Sequence, residues 1–467
     1  MSKGASRKNN PSTTALQIAL PLEWANDTAP ELPPGAKPPS QAATPVAEKG
    51  AKHRKRKWYS LYDKVYAFSN LQRAWEKVLA NGGAPGCDGQ TVRQFETVLS
   101  SNLEALHEQL RTKQYHPRPV KRVEIPKAGG GTRALGIPSV RDRVVQQAVH
   151  QVLSPIFEEK FSPRSHGFRP GRGCETALDV VDRALQYGYE WVVDADISKF
   201  FDNVDHELLL GQLNEEIADG SVLQVVEAFL KSGVMMDGGE VEPTELGTPQ
   251  GGPLSPLLAN VYLHPFDVAM QEAGFGVVRY ADDFVIFAND RERAGEALAL
   301  ADETLSSLKL NLHPDKTRIV IIDEGFEFLG FRYVRDRKRA LQKLVGTKAE
   351  RRFRARIRKM TPRHAGQRRP KSKRLNLQRL RKNKRIREMI ERVNRFLQNW
   401  YGYFRGVRTD WHWYLRLFDG YIRQRLRNAI TGRYAKGRWQ KLLPNAAFEA
   451  LGYTPFSTLH SAYTGTP

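Results

Sequence analysis

Two short apolar runs carry acids where a buried strand tolerates them least. Trp191 to Ile197 reads WVVDADI, and Val277 to Phe287 reads VVRYADDFVIF. Length and β-branching make the first a buried strand, and the second two short strands around a two-Asp turn. Asp196 then falls near a strand end, and Asp282 and Asp283 at the tip of a hairpin. Charge inside a buried strand is costly unless something pairs with it. Adjacent carboxylates repel, which raises the pKa of one unless a cation intervenes. A divalent metal removes that cost, and hard oxygen ligands suit Mg²⁺. Two such ions about 3.5–4 Å apart, held by carboxylates from two strands, are a device for in-line phosphoryl transfer. Taken alone, the Asp-Asp pair is equally well a plain turn, since Asp is a common turn residue.

The charge distribution narrows the partners. The chain carries a net charge of +22, from 73 Lys/Arg against 51 Asp/Glu. The segment Phe331 to Ile390 holds 25 of those cations and 3 of those acids, which leaves 48 of each sign elsewhere. A localised excess of this size points to a polyanion, nucleic acid first. Its densest part, Arg351-Arg352-Phe353-Arg354-Ala355-Arg356-Ile357-Arg358-Lys359, puts Arg on nearly every face of a helix and lacks acids, so it faces phosphate. No stretch of about 18 apolar residues exists, which argues against a membrane span. The opening MSKGASRKNNPSTT has no apolar core of the secretory kind. Cys87 and Cys174 are too few for a disulfide framework or a zinc cluster, so a cytoplasmic chain is expected.

Residues 1–57 read as disordered, rich in Pro and Ala and closing on the basic run Lys52 to Lys57. That segment is a tail or linker, or a basic arm on nucleic acid. Leu61, Val65, Phe68, Leu71, Trp75, Val78 and Leu79 follow at helical spacing, and Phe95 to Leu110 reads as another helix. Pro117 to Pro138 reads as a hairpin turning at Gly129-Gly130-Gly131, and Arg143 to Phe157 as a helix. Phe326 to Tyr333 and Lys343 to Val345 are further strand candidates. The remainder after Thr347 reads helical, cut by Pro362, Pro370 and Gly402. The overall class is α+β. Between the acidic sites lies GTPQGGPLSPLLAN (Gly247 to Asn260), a rigid loop before an apolar helix, with Gln250 held between Pro and Gly. Strand alternation places Asp194 on the face of Asp196, and Asp202 is expected to cap a helix over residues 203–210.

These motifs together resemble a known family. DADISKFFDNVDH, GTPQGGPLSPLLANVYL, YADDFVIF, PDKT and GFEFLGF follow in the order of the palm motifs of a reverse transcriptase. IPKAGGGTRALGIPSVRDRVVQQAV and SHGFRPGRGCETAL are similar to the fingers of the bacterial group II intron type, and VNRFLQNWYGYFRG to the maturase, or thumb, motif of those intron-encoded proteins. The likeness runs from about Trp58 to about Phe418. It implies a right-hand polymerase: a leader to residue 57, fingers over 58–190, a palm with an RRM-like antiparallel sheet over 191–346, a basic helical thumb over 347–418, and a nucleic-acid-binding segment over 419–467.

Site residues follow from the resemblance one position at a time. It implies Asp196, Asp282 and Asp283 as catalytic metal ligands for two Mg²⁺, with the Ile197 carbonyl facing the metal. Phe201 matches a gate that excludes a ribose 2′-hydroxyl, the bland reading being plain core. Gln250 and Gly251 match the pair along the incoming nucleotide and template. Lys127 and Arg133 match cations on the triphosphate, and Lys316 a lysine that protonates pyrophosphate. Arg169 is expected to touch nucleic acid or triphosphate, and Arg351, Arg352, Arg354, Arg356, Arg358 and Lys359 to bind nucleic acid. Of the later aromatics, most are expected in helix packing and a few on bases.

The function implied is an RNA-directed DNA polymerase that extends a primer with dNTPs on an RNA or DNA template. The resemblance adds group II intron RNA and a DNA target as partners, for splicing and retrohoming, in a nucleoid-associated bacterial protein. No Cys/His cluster follows Phe418, so the endonuclease-lacking type is implied and DNA nicking is not expected. The family also includes chains recruited to phage defence, CRISPR spacer capture or DNA repair. A second reading is an RNA-binding maturase with a dispensable polymerase, against which the intact Asp196, Asp282, Asp283, Gln250 and Lys127 argue. A nucleotide cyclase is a third, with no role for Phe201, the Gln250 loop or the basic end.

Overall fold

Apolar side chains spaced three and four apart start the fold. The computed structural model describes residues 57–126, 132–362, 377–407, 411–431 and 443–464. The leader up to Arg56, the Gly129–Gly131 turn with Lys127, and Pro370 lie outside the described residues. The chain divides into two compact units, 1–318 and 319–467.

In the first unit, Leu61, Val65, Leu71, Trp75 and Val78 are buried as their spacing predicts, at and along α1 (Tyr62–Tyr66) and α2 (Phe68–Asn81), while Phe68 and Leu79 of the same series are exposed. The helix predicted over Phe95 to Leu110 is two, α3 (Val92–Thr97) and α4 (Leu99–Arg111), the first opened by a Thr91–Gln94 capping box. The hairpin is β1 (Val120–Pro126) and β2 (Thr132–Ile137), antiparallel. Next come α5 (Val140–Glu158), buried around most of its circumference, α6 (Cys174–Gln186) and β3 (Trp191–Asp196). The chain continues through α7 (His206–Glu216), α8 (Gly220–Leu230), and the short strands β4 (Val234–Met235) and β5 (Val241–Glu242). These two extend the hairpin into a sheet of order β2-β1-β4-β5.

The central sheet then assembles. After α9 (Ser255–Glu272) come β6 (Gly276–Tyr280), β7 (Asp283–Ala288) and α10 (Arg291–Ser307). β7 lies between β6 and β3, antiparallel to both. Val192, Val193, Phe284, Val285 and Ile286 are fully buried in this sheet, and α9 and α10 pack against it. Burial of so many β-branched and aromatic side chains is the main driving force here, at about 25 cal/mol per Å² of apolar surface. In β3 and β7 the acids Asp194, Asp196 and Asp283 keep partial exposure.

β8 (Arg318–Ile321) leads into the second unit. There Phe326 to Tyr333, expected as one strand, is two: β9 (Phe326–Phe328) and β10 (Phe331–Arg335), turned back at Leu329 and Gly330, both with positive φ. β11 (Leu341–Val345) completes an antiparallel sheet. The helices are α11 (Thr347–Met360), α12 (Leu377–Lys382), α13 (Lys384–Phe404), α14 (Trp411–Thr431), α15 (Asn445–Ala450) and α16 (Phe456–Thr464). Phe353 lies at the hub of their core, with ring centroids 4.6 Å from Phe418 and 4.7 Å from Trp400. The packing reading of the later aromatics holds for Trp400, Tyr401, Phe404 and Phe418, all buried, and Phe456 joins them.

Three local expectations change. Asp202 ends a 3₁₀ turn (Phe200–Asp202), and Asp205 caps α7 instead, its Oδ1 accepting from the Leu208 N–H at 3.0 Å. Gly402 does not cut the chain, because α13 runs through it, its tertiary packing outweighing glycine's cost of about 1 kcal/mol. The expected boundary at 418/419 falls inside α14, which is continuous to Thr431.

Candidate active site

The three acids converge on one corner of the central sheet. β3 and β7 pair in a register that sets Asp196 directly opposite Asp283. Tyr280 pairs with Asp283 on the other side, so the turn Ala281–Asp282 closes tightly, with Ala281 at φ +58°. Burial pushes the Asp282 carboxyl above its ordinary range, and the Asp196 charge pushes it further. The positive charges of Arg133 and Lys316 oppose that rise. The repulsion predicted for this site is thus present, but the partner that raises Asp282 is Asp196 across the sheet.

Lys316 makes an ion pair with Asp196 Oδ2. Two residues along, Arg318 Nη2 donates to Asp194 Oδ2 at 2.9 Å and its Nε at 3.1 Å. Strand alternation therefore does place Asp194 and Asp196 alike, as a ladder of two carboxylate–cation pairs. Asp194 is held by the arginine, which separates its role from that of Asp196. Lys316 is held in place by the turn His313–Lys316, which docks on the end of β3: the His313 N–H donates to Asp196 O at 2.8 Å, and the Lys316 N–H to His313 O at 3.1 Å. Ile197 is buried and bridges Leu312.

The donor set suits a hard divalent cation: carboxylate oxygens on opposed strands, one of them already drawing in an ammonium group. Among the described residues, no three His, Cys, Asp or Glu side chains are gathered closely enough to form a ready-made metal cluster. Lys316 occupies one oxygen of Asp196, Oδ2.

The glycine-rich loop is pinned on both sides by close backbone approach. Gly247 has φ +88°, and a Cβ there would lie 2.8 Å from Phe201 O and 3.0 Å from Asp202 O. The Thr248 N–H donates to Phe201 O at 2.8 Å, fastening the loop to the Phe201 backbone. On the other side, the Gly136 N–H of β2 donates to Gln250 O at 3.2 Å, and a Cβ on Gly251 would lie 2.6 Å from Gly136 O. Thr248 Oγ1 and Ser255 Oγ then close the turn into α9. Phe201 and Gln250 are both half-buried, and the Phe201 ring meets Phe200 edge-on at 5.1 Å.

The predicted cations divide. Arg133 is exposed and close enough to Asp282 to act on its charge; Lys127 lies outside the described residues. Arg169 is not available to a nucleic acid. Its side chain is 4% exposed, its Nε donates to Glu158 Oε2 at 3.0 Å, and its Nη1 donates to the carbonyls of Ser162 and Ser165 at 2.6 and 2.8 Å. On α11, Arg351, Arg352, Arg356, Arg358 and Lys359 are exposed, while Phe353 and Ile357 bury the opposite stripe. Arg354 departs from this group: it pairs with Glu350 at 2.7 Å and lies over the Tyr421 ring at 4.8 Å.

Sequence reasoning missed Arg279. It is fully buried within β6, where its Nε and Nη2 pair with Asp267 of α9 at 2.7 and 2.5 Å. Its Nη1 donates to the Ala281 carbonyl at 2.9 Å, directly beneath the acidic turn. The rule applied to acids within apolar strands, applied equally to cations, picks it out of VVRYADD.

This geometry agrees with the chain's relatives. The profile of the family described as reverse transcriptase (RNA-dependent DNA polymerase) matches residues 125–333, which include every residue described above at the acidic corner. Protein YkfC of Escherichia coli (strain K12) is 34% identical over 310 residues, covering 58% of this chain and 81% of YkfC. The chain belongs to the reverse transcriptase family. This reverse transcriptase is also 40% identical over 197 residues to the group II intron-encoded protein LtrA of Lactococcus lactis subsp. cremoris, covering 42% of the chain but 32% of LtrA. A putative COX1/OXI3 intron 2 protein of Saccharomyces cerevisiae is 36% identical over 167 residues, 36% of the chain and 19% of that protein. A chain of the solved partial Cas6-RT-Cas1–Cas2 complex aligns at TM-score 0.35 with 26% identity, covering 54% of this chain and 43% of that one, too slight a likeness to weigh. No described helix is long and apolar enough to cross a membrane.

Proposed function

We propose that this reverse transcriptase extends a primer on an RNA template at the Asp196–Asp282–Asp283 corner with two Mg²⁺ ions. In the same reading it binds group II intron RNA as a maturase and returns that RNA to a DNA target. The observation that carries the polymerase reading is the pairing of Asp196 with Asp283 across β3 and β7, with Asp282 on the adjoining turn. Divalent ions held there would neutralise charge on the primer 3′-oxygen and on the departing pyrophosphate.

The chain's own residues do the rest. Asp196, Asp282 and Asp283, with the Ile197 carbonyl, hold the cations. Arg133 and Lys127 clamp the triphosphate, where developing charge is stabilised by fixed cations. Phe201 occupies the space of a ribose 2′-hydroxyl and so selects deoxynucleotides. Gln250 and Gly251 orient nucleotide and template along the pinned loop. Lys316, released from Asp196, supplies a proton to pyrophosphate. The exposed cations of α11, Arg351, Arg352, Arg356, Arg358 and Lys359, bind the phosphates of the nucleic acid. The corresponding divisions are fingers over 58–190, palm over 191–346 and a basic helical, nucleic-acid-binding end from 347 onward, undivided where α14 runs through 418/419.

The test is extension of a DNA primer on an RNA template with dNTPs and Mg²⁺, for the wild type and for Asp282→Ala/Asp283→Ala. Extension by the wild type alone supports the assignment. Equal extension by both, or by neither while tight RNA binding is retained, refutes it.

A further inference from the structure

The acidic turn stands on a buried polar assembly that no step above uses. Arg279 is fully buried, and Asn260 and Asp267, both on α9, are nearly so. Asp267 takes the Nε side of the guanidinium. The other side divides between the Ala281 carbonyl at 2.9 Å and Asn260 Oδ1 at 3.1 Å. Asn260 passes the connection on, its Nδ2 donating to Gly167 O at 2.9 Å. Gly167 in turn lies flat on the turn: a Cβ there would meet Ala281 N at 2.3 Å and Tyr280 C at 3.0 Å. The backbone alongside is tied twice more, the His166 N–H donating to Arg279 O at 2.8 Å and the Arg279 N–H to Arg164 O at 3.0 Å.

A buried ion pair is a poor source of stability, because desolvation consumes most of the Coulomb attraction and apolar replacements are often as stable. What it can supply is fixed direction. The guanidinium is a planar fork that holds several acceptors at set angles, which a lysine ammonium cannot do. Here the acceptors are a helix (Asp267, Asn260) and the carbonyl of Ala281, a non-glycine residue held in the left-handed region immediately before Asp282. Carboxylates that bind reacting groups must be held to within about 0.5 Å of the productive geometry.

We propose that Arg279 is a positioning residue: through the Ala281 carbonyl it fixes the turn that presents Asp282 and Asp283, and Asn260 locks that turn to Gly167. This inference rests on the polymerase reading above. Two full-length variants test it. Arg279→Lys retains the charge beside Asp267 but loses the fork. Asn260→Ala leaves the Arg279–Asp267 pair intact and cuts the tie to Gly167.

Single-nucleotide incorporation is measured per active site, with the active fraction titrated by burst amplitude, and Mn²⁺ binding is followed by electron paramagnetic resonance without nucleotide. Both variants are expected to lose at least tenfold in the maximal incorporation rate. The half-saturating dNTP concentration should change less than twofold, and Mn²⁺ affinity should fall at least threefold. A purely structural role would lower the active fraction and leave the rate per active site unchanged; that result overturns the proposal. Rates within twofold of wild type in both variants overturn it too, as does failure of both to fold, which would assign Arg279 to the fold alone. A wild type that extends no primer refutes the polymerase reading instead, so the two failures are distinguishable.

Discussion

Gly247→Ala is the most direct probe of how the loop supports the gate. At φ +88° the residue lies beyond the small left-handed region open to L side chains, and leaving the right-handed regions costs roughly 1–2 kcal/mol. The added Cβ would also stand 2.8 Å from Phe201 O and 3.0 Å from Asp202 O. Both are backbone atoms within a 3₁₀ turn, so neither can rotate away, and overpacking of this kind costs about 1–3 kcal/mol. The total of about 2–5 kcal/mol should lower Tm by roughly 5–15 °C. Relief by movement of the turn would shift Phe201, so discrimination between dNTP and rNTP should weaken in the same variant. Gly211→Ala is the control: that glycine is exposed within α7 with no atom near its Cβ position, and the substitution should stabilise by up to about 1 kcal/mol. Thermal unfolding and paired dNTP/rNTP incorporation read both effects. An unchanged Tm and an unchanged dNTP/rNTP ratio in Gly247→Ala would show that the loop does not hold the gate, and the reasoning would fail.

Other outcomes follow from the same geometry. Asp282 titrates above its ordinary value in the folded chain, so the folded state holds that proton more tightly and stability falls as pH rises above the ordinary carboxyl value. Asp282→Asn should therefore abolish extension yet raise Tm at pH 7, a gain that shrinks as the pH falls toward 3.8; a lower Tm at pH 7 would contradict this. Charge removal at Arg351, Arg352, Arg356 or Arg358 should reduce the slope of log K against log salt for RNA binding by about 1 per lost phosphate contact. Arg354→Gln, already paired with Glu350, should leave that slope unchanged; equal slopes for all five would refute the division. Phe353→Ala removes the hub of the second unit's aromatic core and should cost about 3–5 kcal/mol, seen as early loss of that unit in denaturant.

Much of the site was legible because acids in apolar strands have few innocent explanations. The runs around Asp196 and Asp283 became β3 and β7; the β6–β7 hairpin follows from the two-Asp turn, whereas the pairing of β3 with β7 is a long-range contact that no local pattern predicts. The glycines of the Gln250 loop were legible as close backbone approach, though not which backbone they approach. That depends on Gly136 and Phe201, which are 115 and 50 residues away from Gly251 and were brought there by tertiary packing. Local rules failed by small offsets: Asp202 and Asp205 are both good caps, and only the 3₁₀ turn at Phe200 decides between them. Gly402 ends a helix in isolation, but α13 buries Leu397, Trp400, Tyr401 and Phe404 around it, and that burial overrides one poor residue.

Cations were harder to read than anions, and the reason is physical. Lys and Arg have long apolar stems, so the same residue can extend into solvent or turn inward without changing the local sequence pattern. Arg169 and Arg279 turned inward, towards Glu158 and Asp267. Arg133 and the exposed arginines of α11 did not. Arg169 lies among glycines and other arginines that favour a phosphate-facing reading, whereas Arg279 interrupts an apolar strand and should have drawn the same suspicion as Asp196. A buried arginine must find acceptors for its N–H donors, and Arg279 makes four such bonds, three to Asp267 and Asn260 of α9 and one to the turn itself. β6, the strand that leads into the acidic turn, thus also carries, two residues before that turn, the group that donates to its Ala281 carbonyl. In a site where carboxylates repel and a lysine pairs with one of them, the proposed tie would hold the turn that presents the other two.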